Sequence, residues 1–215
     1  MIDKKVVVID YGMGNLFSVR RALEHCGVAR VCLSSLADDV ASADYLILPG
    51  VGAFRDGILS LKQLGLIQPI KLHASRNKPL LGICLGMQML ATRGFEYGVS
   101  EGLGLIEGDV DSIAKFDKGG RRLKLPHIAW SPLHPGPSIS WENSVLSRHA
   151  AGAAMYFVHS FHMRPVNPGS ILAVATYGGH EIVAAVQLGN IIGCQFHPEK
   201  SGKSGLKLLS SFLAI

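Results

Sequence analysis

The chain has 215 residues, of which 48% are hydrophobic and 17% charged, and its basic residues exceed its acidic residues by five. This composition is too apolar and too weakly charged for a disordered chain, and no apolar run approaches the roughly 20 residues that cross a bilayer. The first residues also lack the apolar stretch of a signal peptide. We therefore expect one cytosolic domain over residues 1–215, with no membrane partner.

The basic residues do not cluster as nucleic-acid binding requires. The densest group is Arg121, Arg122 and Lys124, close in sequence to Lys115 and Lys118. We interpret it as a solvated hairpin tip, although a basic rim for an anionic substrate or an acidic partner protein stays open. No nucleic-acid partner is expected.

The first half of the chain alternates strand and helix patterns. Short apolar runs bounded by charge indicate strands buried on both faces, and periodic apolar residues between them indicate helices. The predicted strands are 5–10, 30–33, 45–48 and 79–84, and the predicted helices are 15–26, 35–43, one from Phe54 that is broken near Gly65, and 85–91. This alternation is typical of βαβ units on a parallel sheet.

The second half is richer in strands. Strands 105–116 and 121–130 are predicted to form a hairpin around a turn at 117–120, and 132–137 is interpreted as a turn-rich insertion. Further predicted elements are strands at 155–161, 171–177, 182–187 and 191–196, a tight turn at 188–190, and a helix at 201–213. The expected fold is a single α/β domain whose mixed, mostly parallel sheet is flanked by helices.

The spacing of the cysteines predicts free thiols and no metal site. Of the four, Cys84 stands apart because it lies in Gly-Ile-Cys-Leu-Gly at residues 82–86, between a strand and a helix. This is the arrangement of a nucleophile elbow. The helix N-terminus would stabilise a thiolate, and the backbone N–H of Leu85 would face an oxyanion. Taken alone, the pattern fits a buried cysteine in a strand-to-helix turn equally well.

A base for this thiol is available near the end of the chain. His197 and Glu199 follow the last predicted strand, and in an extended segment side chains two residues apart point the same way. Glu199 could then fix the tautomer of the imidazole, giving a Cys-His-carboxylate triad. A structural histidine at a strand end and a carboxylate at a helix N-terminus are the alternatives for the two residues taken singly.

The run Pro49-Gly50-Val51-Gly52 follows a third predicted strand. Its glycines let the backbone approach a ligand closely, so the amide of Val51 or Gly52 could supply a second oxyanion donor. Ligands of open α/β sheets bind beyond the carboxyl ends of the strands, which is where all three segments lie. One shared site is therefore expected.

Together these motifs resemble those of the class I, or triad, glutamine amidotransferases. The resemblance extends over nearly the whole chain, through residues 9–16, 49–54, 81–88, 104–108, 126–130, 156–160 and 195–201. Its most specific parts are the Tyr-Gly-x-Gly-Asn run from Tyr11 and the Tyr-Phe-Val-His-Ser run from Tyr156. Within the family these runs look like the glutaminase subunits of imidazole glycerol phosphate synthases.

The resemblance implies hydrolysis of L-glutamine to glutamate and ammonia through a thioester on Cys84, without a cofactor. It also implies a heterodimer with a cyclase subunit, which would use the ammonia to make imidazole glycerol phosphate and AICAR in histidine biosynthesis. The residues that it assigns to glutamine are Gln88, Glu96, Tyr156, His159, Ser160 and Phe161, and those that it assigns to the partner surface are Asn15, Trp130 and Lys200. By their types alone, these residues could equally be ordinary polar and core positions.

Four other functions have partial support in the sequence. A dinucleotide-binding module would need a third glycine where Phe17 stands. A Cys-dependent hydrolase on the same scaffold and a non-catalytic binding subunit stay open. So does a related amidotransferase subunit that feeds a sugar-modifying enzyme, because Ala129-Trp130-Ser131 departs from the usual Gly-Trp-Asn of the family.

Overall fold

The computed structural model describes residues 4–137 and 140–215 of the chain. Its helices are α1 (Leu16–His25), α2 (Ala37–Ser42), α3 (Phe54–Gln63), α4 (Ile67–Ser75), α5 (Leu85–Met89) and α6 (Gly202–Phe212). Its strands are β1 (Val6–Ile9), β2 (Val31–Ser34), β3 (Tyr45–Leu48), β4 (Leu80–Ile83), β5 (Arg93–Gly94), β6 (Ser100–Glu101), β7 (Gly108–Ser112), β8 (His127–Pro132), β9 (His134–Pro135), β10 (Ala154–His159), β11 (Phe161–Pro165), β12 (Ile171–Tyr177), β13 (His180–Leu188) and β14 (Ile191–Cys194).

An eight-stranded sheet in the order β2-β1-β3-β4-β14-β13-β12-β9 forms the centre of the molecule. The five strands from β2 to β14 pair in parallel, and the remaining pairs are antiparallel. Every residue of β1, β3, β4 and β14 is buried, as expected for short apolar strands that helices cover on both faces. The predicted α/β fold with a mixed, mostly parallel sheet is confirmed.

Hydrophobic side chains pack on both faces of this sheet. On one face, Leu23 of α1 and Leu208 of α6 belong to the same buried cluster. On the other face, Leu61 of α3 and Ile70 of α4 belong to a second buried cluster. Among the described residues, no helix is both long enough and apolar enough to cross a membrane.

The helical predictions of the first half agree with the structure. Asn15 caps α1, since its side-chain oxygen accepts a hydrogen bond from the Ser18 N–H at 3.2 Å. The predicted break near Gly65 is present, and Gly65 has a φ of +67°, a value that glycine adopts without steric cost. The chain can therefore turn sharply between α3 and α4.

The predicted hairpin over 105–130 is wrong. Strand β7 pairs instead with β5 and β11, and β8 pairs with β10. Of the expected pairing, the described residues form one isolated bridge close to the turn, between Phe116 and Arg122. The alternating patterns of β7 and β8 are real, but their partners lie at least 16 residues away in sequence, and local periodicity does not reveal such partners.

Two further segments differ from the predictions. The single strand expected over 155–161 divides at Ser160, and its parts, β10 and β11, belong to a two-stranded and a four-stranded sheet. The interpretation of 132–137 as an insertion is also wrong, because β9 pairs with β12 and forms the edge of the large sheet. Pro135 is tolerated there because an edge strand leaves one side unpaired.

The parallel strands β3, β4 and β14 are neighbours in the sheet. Their carboxyl ends lead into Pro49, Cys84 and Gln195 respectively. The three segments that carried the sequence motifs therefore meet at one edge of the sheet, where ligands bind in open α/β folds.

Candidate active site

Cys84 occupies a sharply bent backbone between β4 and α5. Its φ is +54° and its ψ is −108°, a backbone conformation that residues other than glycine rarely adopt. Its own N–H donates to the Cys194 carbonyl at 2.7 Å, which anchors the bend to β14. The thiol is thus held where β4 ends, as in a nucleophile elbow.

The two glycines around Cys84 are required by close backbone contacts. A Cβ atom on Gly86 would lie 1.7 Å from the Leu48 carbonyl oxygen, and one on Gly82 would lie 2.8 Å from the backbone of Gly86. No side chain fits at either distance. Helix α5 is only five residues long, so we attribute little of any thiolate stabilisation to its dipole.

His197 and Glu199 form a buried pair behind the thiol. Nδ1 of His197 lies 2.8 Å from Oε1 of Glu199, and the two side chains are 3% and 1% exposed. The expected geometry is wrong in one respect: residues Pro198–Lys200 form a turn of 3-10 helix rather than an extended segment. The contact nevertheless forms, and with Nδ1 donating to the carboxylate, Nε2 is left as the basic nitrogen.

Opposing effects set the pKa of His197. Burial lowers it, but the nearby Cys84 and the hydrogen-bonded Glu199 together raise it by more, so that the pKa rises from 6.5 to about 9. Nε2 is buried and has no hydrogen-bond partner among the described residues. The imidazole is therefore able to hold a proton at neutral pH, close to a thiol that can supply one.

The resting sulfur of Cys84 has two polar neighbours. Sγ lies 3.9 Å from the Val158 carbonyl oxygen, to which the thiol can donate, and 3.7 Å from the side-chain nitrogen of Gln195. Gln195 is fully buried. Gln195 was not among the residues predicted for the site, although its place two residues before His197, in the segment that follows β14, could have pointed to it.

A cavity of about 280 Å³ opens in front of the thiol. Cys84 and eight further residues predicted for the site line it: Val51, Gly52, Leu85, Gln88, Glu96, His159, Ser160 and Phe161. Pro126 and Val158 also line the cavity and were not predicted. This volume lies near the lower end of the range of ligand-pocket volumes, and it suits a small polar molecule.

Tyr156 is the residue predicted for the glutamine pocket that does not line this cavity. Its ring packs against Trp130 with the centroids 5.9 Å apart. Its backbone carbonyl accepts a hydrogen bond from the His197 N–H at 2.9 Å. Tyr156 therefore supports the triad segment through its backbone and lies outside the pocket.

The residues predicted to face a partner are on the surface. Asn15 and Lys200 are exposed, and Trp130 is 56% exposed. The backbone N–H of Tyr156 donates to the Ser201 hydroxyl at 3.0 Å, which ties the strand beside Trp130 to the segment that carries Lys200. Trp130 and Lys200 thus lie on linked segments near the candidate triad.

The two expected oxyanion donors are not both free. The Leu85 N–H donates to the Gly50 carbonyl oxygen at 3.3 Å. In a trans peptide the C=O and the N–H point in opposite directions, so the Val51 N–H points away from Leu85. Of the two predicted pairs of donors, Leu85 with Val51 does not form in this conformation, and donation by Gly52 stays a prediction.

Two polar side chains of the cavity are held by backbone groups. Oε2 of Glu96 accepts a hydrogen bond from the Phe54 N–H at 2.9 Å, at the start of α3. His159 Nδ1 lies 2.8 Å from the Phe161 carbonyl oxygen and its Nε2 lies 3.2 Å from His127 Nδ1. Burial lowers the pKa of His159 to about 3, so this imidazole is neutral.

Within residues 4–137 and 140–215, no group of three or more acidic, histidine or cysteine side chains is arranged to hold a metal ion. A larger groove of about 640 Å³ lies between α3, α4 and β6, and basic residues such as Arg55, Lys62 and Lys71 line it. None of the predicted site residues lines this groove, so the candidate chemistry belongs to the smaller cavity.

Comparisons with known proteins identify the family of the chain. The family model of class-I glutamine amidotransferases matches residues 7–215. The imidazole glycerol phosphate synthase subunit HisH 1 of Legionella pneumophila (strain Lens) is 46% identical over 211 residues, 98% of this chain and 99% of that protein. The HisH subunit of Bacillus licheniformis is 46% identical over 205 residues, 95% of this chain and 93% of that protein.

Among solved structures, PurLQS from Thermotoga maritima has a TM-score of 0.74 at 21% identity and aligns over 99% of each chain, a likeness that concerns the fold. Sequence, fold and relatives thus lead to the same family. The chain belongs to the class-I glutamine amidotransferases and is similar over nearly its whole length to HisH subunits of imidazole glycerol phosphate synthase.

Proposed function

We propose that this protein is the glutaminase subunit of an imidazole glycerol phosphate synthase and that Cys84, His197 and Glu199 form its catalytic triad. The observation that carries the proposal is the cavity of about 280 Å³, which joins Cys84 to Gln88 and Glu96 in front of the His197–Glu199 pair. Substrate-binding polar groups and an activated thiol are the two requirements for amide hydrolysis by a cysteine enzyme.

In the proposed reaction, Nε2 of His197 takes the proton of the Cys84 thiol, and Glu199 stabilises the resulting imidazolium. The thiolate attacks the side-chain amide carbon of L-glutamine. His197 then gives its proton to the departing nitrogen, which leaves as ammonia, and a thioester remains on Cys84. Water, deprotonated by His197, cleaves the thioester to glutamate and restores the thiol.

The tetrahedral intermediate needs N–H donors for its oxyanion. The Leu85 N–H becomes available when the Gly50–Val51 peptide turns over, and the same rotation directs the Val51 N–H toward the site. Gly52, with a φ of +108°, gives this loop a conformation that other residues avoid. The mechanism therefore requires the loop of residues 49–52 to change conformation before the oxyanion forms.

The proposed substrate pocket uses the polar groups of Gln88 and Glu96 for glutamine, with His159, Ser160 and Phe161 along its wall. The carboxylate of Glu96 suits the α-ammonium group of the substrate, since it already accepts one N–H donor in the cavity wall. In this proposal Tyr156 supports the triad segment through its backbone and does not bind glutamine. No metal or cofactor takes part in these steps.

The proposed partner is the cyclase subunit, with which the chain would form a heterodimer around Asn15, Trp130 and Lys200. The relatives at 46% identity are named as subunits of a synthase, which implies a second polypeptide. The half-exposed aromatic ring of Trp130 suits an interface, where tryptophan is enriched. Ammonia passed to the cyclase would form imidazole glycerol phosphate and AICAR, in the cytoplasm where we expect the protein.

The test is glutamine-dependent synthesis by the complex of this chain with its candidate cyclase. We expect glutamine-dependent product formation with the wild-type chain and its loss with Cys84→Ala, while added ammonium salt supports the cyclase in both cases. The half-buried Cys26→Ala is the matched control. Glutamine-dependent synthesis by Cys84→Ala would refute the assignment of the nucleophile.

A second outcome separates this proposal from the other candidates. A sugar-modifying partner predicts no stimulation of glutaminase activity by the cyclase and its acceptor nucleotide. A general Cys-dependent hydrolase predicts cleavage of esters or peptides in place of glutamine. Stimulation by the cyclase is the result that the proposed function requires.

A further inference from the structure

The fully buried Gln195 has no part in the mechanism above, yet its side chain contacts both Cys84 and Gln88, two residues that line the cavity. Its oxygen is 3.0 Å from the amide nitrogen of Gln88, and its nitrogen is 3.7 Å from Sγ of Cys84. The amide nitrogen of Gln88 also lies 2.9 Å from the Phe161 carbonyl oxygen. These contacts form a chain from a backbone carbonyl through two glutamines to the sulfur.

The direction of the hydrogen bonds in this chain is fixed. A backbone carbonyl can only accept, so the group that Gln88 turns toward Phe161 must be its NH₂. That NH₂ has a second hydrogen, for which the Gln195 side chain must present its oxygen. The NH₂ of Gln195 is then left facing the sulfur, and an exchange of the O and N atoms of either amide would place two donors or two acceptors together.

The direction of these hydrogen bonds matters because the thiol and the thiolate of Cys84 need different neighbours. The resting thiol can donate to the Val158 carbonyl, but a thiolate has no proton for that contact and needs donors instead. The Gln195 N–H serves both forms. Since the site is buried, a donor fixed in this orientation needs no rearrangement when charge develops.

We propose that Gln195 is the N–H donor that stabilises the thiolate of Cys84, held in the donating orientation by Phe161 through Gln88. The same chain leaves the oxygen of Gln88 as its remaining polar atom, so Gln88 can act toward a ligand in the cavity only as an acceptor. This inference deepens the proposed function and rests on Cys84 as its nucleophile.

The test measures alkylation of Cys84 by iodoacetamide in the heterodimer without glutamine, with each cysteine followed separately by peptide mass spectrometry. For Gln195→Met, which has similar volume and no N–H, we expect the rate at Cys84 to fall roughly tenfold at pH 7. The pH at which the rate reaches half its maximum should move upward. Alkylation of the half-buried Cys32, on strand β2, should be unchanged and is the internal reference.

Gln88→Met separates direct donation from structural support. It breaks the chain before Gln195 but leaves Gln195 able to donate to the sulfur, so we expect a smaller fall in alkylation at Cys84 and a higher KM for glutamine. If Gln195→Met does not fold, Gln195→Glu keeps an acceptor for Gln88 and presents a carboxylate to the sulfur, which should move the alkylation profile to still higher pH.

Equal losses in Gln195→Met and Gln88→Met would overturn the inference, because Gln195 would then act only by holding Gln88. An unchanged pH profile in Gln195→Met would overturn it as well. The test is independent of the proposed function: a complex that fails to hydrolyse glutamine, yet shows the expected alkylation profiles, would refute that function and leave the role of Gln195 intact.

Discussion

At the scale of single residues, the environment of His197 decides how the thiol can react. Burial by itself would lower the pKa of His197 and so make its neutral imidazole a weaker base. Cys84 and Glu199 outweigh burial, so the pKa of His197 lies at about 9 rather than at its ordinary 6.5. The buried carboxylate therefore does more than orient the ring, since it also makes the imidazole basic enough to remove the proton of a thiol.

This pKa gives a prediction for stability. A raised pKa in the folded state stabilises the protein fully below about pH 6.5, and this stabilisation is lost as the pH rises through about 9. Glu199→Gln removes one cause of the raised pKa of His197 and should lower that pKa. The variant should therefore be less stable than the wild type below pH 6.5, and the deficit should shrink as the pH rises toward 9.

Urea denaturation at several pH values, together with an NMR titration of the His197 ring, measures both effects. Lys200→Gln is a suitable control because Lys200 is exposed and adjoins the same segment. A stability deficit of Glu199→Gln that stays constant between pH 6 and 10 would contradict the argument.

At the scale of elements, the site depends on how tightly β3 and α5 approach each other. Gly86 allows the start of α5 to lie against the Leu48 carbonyl, and Gly50 lies where a Cβ atom would be 2.2 Å from the Tyr11 hydroxyl. That hydroxyl donates to the Pro49 carbonyl at 2.7 Å. Tyr11, on the segment after β1, thus anchors the start of the loop whose Gly50–Val51 peptide must turn over in the proposed mechanism.

Tyr11→Phe should therefore affect both stability and turnover. Loss of the hydrogen bond to Pro49 should lower the free energy of unfolding by about 1 kcal/mol. The freed loop should hold the oxyanion donors less well, so kcat for glutamine should fall severalfold while KM changes little. Urea denaturation and steady-state glutaminase kinetics of the complex measure the two effects.

Tyr45→Phe is the matched control for this variant. The Tyr45 hydroxyl donates to the carbonyls of Leu213 and Ile215, near the C-terminus, and Tyr45 lines no part of the active-site cavity. It should lose a similar amount of stability with kcat unchanged. If both variants lowered kcat equally, the effect would arise from general destabilisation and not from the loop.

At the scale of the whole molecule, exposed apolar side chains lie on segments linked to the candidate triad. Besides Trp130, Phe17 on α1 is 67% exposed and Ile128 on β8 is 57% exposed. Helix α1 packs against the segment Pro198–Lys200, which follows His197 directly. This arrangement suits a partner that receives ammonia, because the shortest path for the product should avoid bulk water.

Trp130→Ala should therefore weaken binding to the cyclase subunit by roughly tenfold or more, as expected for a central aromatic residue of an interface. Leu72→Ala is the control, since Leu72 is 45% exposed on α4, which packs on the other face of the large sheet. Isothermal titration of the cyclase into each variant measures the affinity. Equal affinities of the two variants would exclude Trp130 from the interface.

Features that depend on neighbours in sequence could be predicted without the structure. Short apolar strands, the capping of α1 by Asn15, the break at Gly65 and the glycines around Cys84 each reflect the conformational preferences of a few consecutive residues. The resemblance to a family then brought together residues far apart in sequence, and eight of the predicted site residues do line the same cavity as Cys84.

Tertiary structure alone decided which strands pair and which groups are free. The partners of β7 and β8, the place of β9 at the sheet edge and the position of Tyr156 outside the pocket all depend on contacts across the chain. The same holds for the bond between Leu85 and Gly50 and for the donation from Gln195 to Cys84. A hydrogen bond needs two groups at a set distance and angle, and for residues that lie far apart in sequence only the folded chain sets both.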